Sequence, residues 1–152
     1  MPSSPQLEQM IFAPLAGKVG GQFASDFVVA EWTAEGAPPG PPQLIAPLHV
    51  HYGDDEAWYV LDGVLAFQLG DQQVAAPAGA LVFVPHGVVH TYWNPRAEQA
   101  RYLLIMTPRI NQLIKALHAT SDRTAEALSA IYQQHDSALI SSGAPSGGEQ
   151  TS

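Results

Sequence analysis

Residues 47–63 read PLHVHYGDDEAWYVLDG, and this stretch decides the fold. His49 and His51 stand two apart in an apolar run, Leu44 to His51, that has strand character. Side chains alternate along a strand, so both imidazoles project from one face and Val50 from the other. A carboxylate, Glu56, follows a short turn later, and His90 lies on a separate run. Three nitrogens and an oxygen of this kind can form a mixed shell for a first-row divalent metal.

Working outward, short apolar runs alternate with turn signals as far as Met106, the pattern of a sandwich or barrel. Ala57 to Leu61 ends at Asp62-Gly63, which reads as a two-residue hairpin turn. Val64 to Leu69 ends at Gly70-Asp71, Gln73 to Ala76 at Pro77-Ala78-Gly79, and Ala80 to Val84 at Pro85-His86-Gly87. Val88 to Trp93 ends at Asn94-Pro95, and Arg101 to Met106 is the last run. Upstream, Phe27 to Thr33 reads as a strand, and Gly36 to Pro42 is too rich in Gly and Pro for helix or central strand, so it reads as a surface loop. The period then changes. Ile110, Leu113, Ile114 and Leu117 share one helical face, with Thr107 as its cap and Pro108 in the first turn. Leu128, Ile131, Tyr132 and His135 repeat the spacing on a second helix starting near Ser121-Asp122. The division predicted is an irregular arm over 1–21, a β-barrel over 22–107, helices packed on it over 108–137, and a disordered Gly/Ser/Pro-rich tail over 138–152.

Composition sets the outer bounds. The 152 residues fit one domain with a real core, and 13 Gly with 13 Pro favour a turn-rich β protein. Six Lys and Arg against 14 Asp and Glu leave a charge of −8, which repels phosphate backbones and anionic membranes. No nucleic acid or membrane partner is expected. No run is long enough to span a bilayer, and MPSSPQLEQM does not read as a signal peptide, so a cytoplasmic location is the expectation. With no cysteine there is neither a disulfide nor a thiol nucleophile.

At two places the chain resembles the cupin superfamily. PLHVHYGDDEAWYVLDG supplies His49, His51, Glu56 and Gly63 at the spacing of the first cupin motif, and GALVFVPHGVVHTYWN supplies Gly79, Pro85, Gly87, His90 and Asn94 at that of the second. The family often has Gly six residues before the first histidine, where this chain has Gln43. The resemblance covers roughly residues 40 to 106. It implies a single antiparallel, jelly-roll-like β-barrel holding one divalent transition metal ion (Fe, Mn, Ni, Cu, Co or Zn) on His49, His51, Glu56 and His90. Gly63, Gly79 and Gly87 are then structural.

Other polar residues have plainer readings. Asp54 and Asp55 rival Glu56 but read as solvated loop residues, since Glu56 alone keeps the family spacing to Gly63. His86 reads as a rim turn residue, His118 and His135 as helix-end or surface residues, and Asn94 as a partner of turn backbone. Trp58, Phe67 and Tyr92 are candidate pocket residues, with core packing as the rival reading. Tyr59 and Trp93 have the opposite parity and are expected on the outer layer or against another subunit.

Within the superfamily the chain resembles the small, quercetin dioxygenase-like branch, on the phrases DEAWYVLDG and LVFVPHGVVHTYWN. This implies a metal-dependent oxidoreductase of dioxygenase type, acting on a phenolic or enolisable small molecule, with Glu56 as ligand and catalytic base. The alternatives are a metal-dependent isomerase, epimerase or lyase and a non-catalytic small-molecule-binding protein. A homodimer is the expected assembly.

Overall fold

The structure, a computed structural model, describes residues 14–21 and 25–141. Ten strands and two helices follow in the order β1 (Val19–Gly20), β2 (Val28–Ala34), β3 (Leu44–His51), β4 (Glu56–Asp62), β5 (Val64–Leu69), β6 (Gln72–Pro77), β7 (Leu81–Val84), β8 (His90–Trp93), β9 (Ala100–Met106), α1 (Pro108–Ala119), α2 (Ala125–Gln134) and β10 (Ser137–Leu139). They form two five-stranded antiparallel sheets, ordered β1-β2-β9-β4-β7 and β10-β3-β8-β5-β6. The core between them holds Trp58, Val60, Leu65, Phe67, Tyr102, Leu104 and Met106. Alternation is clean on β9, where Ala100, Tyr102, Leu104 and Met106 are buried and the residues between them are more open.

Asp62-Gly63 does not close the hairpin that its sequence suggests. β4 pairs with β7 and β9, β5 with β6 and β8, so this turn carries the chain from one sheet to the other. A register shift between Val60 and Asp62 bends β4 first. Gly63 then takes φ +78°, and a Cβ there would lie 2.9 Å from Ala100 Cα, so a left-handed turn and a close backbone approach both require glycine. The two-residue hairpin lies at Gly70-Asp71 instead, with Leu69 paired to Gln72.

The ends of the barrel differ from the sequence division. Val19 and Gly20, within the expected irregular arm, pair with Ala30 and Val29; the rest of that arm as far as residue 13 lies outside the described residues. The expected disordered tail begins as a strand, because Ser137, Ala138 and Leu139 pair with His51, Val50 and His49; residues 142–152 lie outside the description. Helix α1 starts as expected, with Thr107 Oγ1 accepting from Ile110 N at 3.2 Å. Helix α2 starts later than Ser121-Asp122. Asp122 Oδ1 instead accepts from Thr124 N at 3.0 Å, an Asx-type turn, and Thr124 is the cap, its Oγ1 accepting from Ala127 N at 3.2 Å. His135 is not on the apolar face of α2 but at its C-cap, donating from Nδ1 to Ile131 O at 2.7 Å. Asp136 follows at φ +54° and turns the chain into β10.

Candidate metal centre

His49 and His51 leave β3 on one face, as their spacing requires, and His90 on β8 is the direct cross-strand partner of His49. Glu56 reaches them from the other sheet, as the first residue of β4. All four are at most 5% exposed. One atom from each lies within 4.8 Å of the others. His49 Nε2 and His51 Nε2 are 3.2 Å apart, and Glu56 Oε2 is 3.1 Å from His51 Nε2 and 3.2 Å from His90 Nε2.

The other ring nitrogens explain this convergence. His49 Nδ1 donates to Pro47 O at 2.6 Å, and His90 Nδ1 to Val88 O at 2.9 Å. Each bond reaches back two residues, within β3 for His49 and into the turn before β8 for His90. His51 Nδ1 donates to Ser137 Oγ at 2.6 Å, and Ser137 Oγ spends its own proton on His135 O at 3.1 Å. With a proton on every Nδ1, each neutral ring aims an Nε2 lone pair at the same point, beside a carboxylate. A cation fits such a set of acceptors, and buried acceptors left facing one another are costly. Burial first, then the nearby His90 and His51, lowers His49 to about 3, which keeps it in the neutral, ligating form. Burial alone would raise Glu56, but the flanking His51 and His90 imidazoles outweigh it and hold the carboxyl down at about 2.

A cavity of about 500 Å³ opens onto this centre. His49, His51 and Glu56 lie in its wall, with Trp32, Leu104, Ile110, Leu113, Leu117 and Leu128 giving it an apolar body. Tyr92 lines it, whereas Trp58 and Phe67 are fully buried in the core, with ring centroids 5.2 Å from one another. His118 lies on the cavity wall in the last turn of α1. Tyr132 from α2 packs its ring 5.4 Å from that of His49. Burial and the charge of Glu56 raise the Tyr132 hydroxyl above its ordinary range, so it is protonated.

One neighbouring residue departs from expectation. Asp54 is not solvated: it is buried and paired with Arg109 Nε at 2.7 Å. Arg109 also reaches Asp136 at 3.3 Å, tying the β3–β4 turn to α1 and to the start of β10. Trp93 is buried but stands outside the core cluster, while Tyr59 is exposed. Asp55, His86 and Asn94 behave as read: the exposed Asp55 accepts from His86, and Asn94 donates to Ala34 O and Glu98 O. Ser137 was missed because nothing in sequence marks one serine beyond two helices as the partner of a histidine on β3.

Residues 40–106 match the family model described as a cupin domain. This stretch of the barrel is similar to a cupin domain. Similar solved structures include an uncharacterized conserved protein with a double-stranded β-helix domain from Klebsiella pneumoniae, 28% identical over 55% of this chain and 68% of its own, with a TM-score of 0.46. A sugar phosphate isomerase of the cupin superfamily from Silicibacter pomeroyi is 24% identical over 55% of this chain and 51% of its own, with a TM-score of 0.47. A protein described as a predicted oxalate decarboxylase from Thermotoga maritima is 25% identical over 53% of this chain and 64% of its own, with a TM-score of 0.42. The chain thus spans between about half and two thirds of these proteins' own lengths. No curated protein matches it. None of these matches assigns a substrate to this chain.

Proposed function

We propose that this protein is a cupin-type, metal-dependent oxidoreductase of dioxygenase type, acting on a phenolic or enolisable small molecule. The observation that carries the reading is the composition of the cavity wall. One end presents His49, His51 and Glu56, and the rest is largely aliphatic and aromatic. Such a wall suits a planar or apolar body with an oxygen directed at the metal centre. It suits a phosphorylated sugar poorly, since Arg123 is the only Lys or Arg among the described residues that line it.

His49, His51, His90 and Glu56 would hold the ion, which when bound supplies Lewis-acid and, if redox-active, electron-transfer chemistry. The residues of the chain do the remaining work. Leu113, Leu117 and Leu128 exclude water from the body of the ligand, and Trp32 and Tyr102 flank it. Glu56 is the one acidic side chain among the described residues of the wall, so it is the acceptor for a proton from the ligand. The Nδ1 bonds of the histidines keep the three rings from turning as the ligand enters.

Elemental analysis of protein purified without added metal, followed by oxygen uptake by the iron, manganese and nickel forms with quercetin and with acetylacetone, tests the reading. Oxygen consumption with one of these compounds is the expected result. Turnover that persists under strict anaerobiosis would replace it with an isomerase or lyase. No conversion by any metal form would overturn it.

A further inference from the structure

Three tyrosines line the cavity, and two of them satisfy each other: Tyr92 and Tyr102 join hydroxyl to hydroxyl at 2.8 Å. Tyr132 is different. It is 2% exposed and lies beside His49, yet its hydroxyl has no hydrogen-bond partner among the described residues. That hydroxyl keeps solvent contact inside the cavity, since Trp58 Nε1 is the one fully buried side-chain polar atom without a partner among the described residues, so it is free to donate to a molecule seated there. Ser137, buried nearby, shows the contrast, since both its accepting and donating bonds are used within the protein.

We infer that Tyr132 is a substrate-binding residue, donating a hydrogen bond to an enolate, phenolate or carbonyl oxygen of the ligand held against the three histidines. The inference rests on the reading of the cavity as the site of an oxygen-bearing small molecule. It adds a contact from α2, outside residues 40–106. A ligand seated there would be held from two sides, its oxygen between the sheet-borne histidines and the helix-borne hydroxyl, its apolar body against Leu113 and Leu128.

The test uses 4-nitrocatechol, whose visible absorbance reports its ionisation, titrated into the zinc-loaded full chain and into the Tyr132→Phe variant. Phe keeps the ring against His49 and removes the hydroxyl alone. Metal content and the thermal midpoint are measured on both proteins. The expected result is unchanged metal content and midpoint, with catechol binding weakened on the order of 10-fold and a displaced absorbance maximum. Equal affinity and an equal spectrum in the two proteins would overturn the inference and leave the oxidoreductase reading standing. Weakened binding in Tyr132→Phe, in a protein that consumes no oxygen, would overturn that reading and leave the inference standing. A wild-type protein that binds no catechol would overturn both.

Discussion

Two regions build this site by different means. Within residues 40–106, His49 and His90 orient themselves on carbonyls two residues back in the chain, Pro47 O and Val88 O. His51 cannot, and is oriented by Ser137, carried in from the C-terminal region by α1, α2 and β10. A barrel with histidines at the right spacing thus supplies the ligands and two of their tautomers. The third tautomer depends on a segment that the ligand pattern does not specify. The difference separates having a metal site from having all of it preorganised.

The largest effect tests the first region. His49→Ala, His51→Ala and His90→Ala each remove one of four converging donors, and each should lower metal content by about an order of magnitude or more in elemental analysis. Glu56→Gln, which keeps an oxygen but no charge, should retain part of the metal and lose turnover. Full metal content in all three histidine variants would remove the ligand assignment.

Ser137→Ala tests the second region. His51 then loses the acceptor that holds its proton on Nδ1, and metal affinity should fall by about 10–100-fold in chelator competition. Ser137 is buried, so its loss also leaves His51 Nδ1–H and His135 O without that partner and should cost about 1–3 kcal/mol in denaturant unfolding. An unchanged affinity would mean that the C-terminal strand closes the barrel without tuning the metal.

How much of this was legible follows from where each constraint sits. The histidine spacing on β3 and the chain of turn residues after it are local, and period two makes their consequences direct. Glu56, Gly63 and Gly87 were legible through the resemblance to the two cupin motifs rather than through periodicity. Asp62-Gly63 shows the limit: a turn dipeptide specifies a reversal, but whether the flanking strands pair or part to different sheets depends on β9 and β7, which are distant in sequence. Ser137, Tyr132 and the Asp54–Arg109 pair were illegible because each acts on a partner in another part of the chain, with no periodicity to announce it.

Arg109→Ala should loosen the joint between the regions. It leaves Asp54 buried without its cation and releases Asp136. Arg109 is itself about half exposed, so the cost should be modest, about 1–2 kcal/mol in denaturant unfolding. Faster amide exchange over β10 than over β9 would locate the loss in the C-terminal region. Uniform loss across both sheets would mean that the two regions unfold as one.

Acid should act through the first region. His49 lies below its ordinary 6.5, at about 3, and Glu56 below its ordinary 4.5, at about 2. Both native groups bind protons less readily than their unfolded counterparts, so the unfolded chain gains protons first as pH falls. The thermal midpoint of the metal-free protein should therefore decline from pH 6.5 downward through His49, and more steeply from 4.5 through Glu56. His49→Gln should remove the earlier part of that decline and keep the later one. A midpoint that is flat down to pH 4.5 would mean that His49 is already protonated in the folded protein.

The smallest effect belongs to His86, which lies inside the residues that resemble the second cupin motif yet faces solvent. Its side chain is 60% exposed, and both its backbone N–H and its Nδ1 meet Asp55 Oδ1, at 2.9 and 2.8 Å. His86→Ala removes the ring and leaves the backbone bond, so the turn keeps its anchor. Metal content should be unchanged and the thermal midpoint should move by about one degree at most. That null result separates position in the motif from position in the barrel. A fall in metal content comparable to that of His90→Ala would mean that a rim histidine competes for the ion, and the inward-facing set would no longer account for the site.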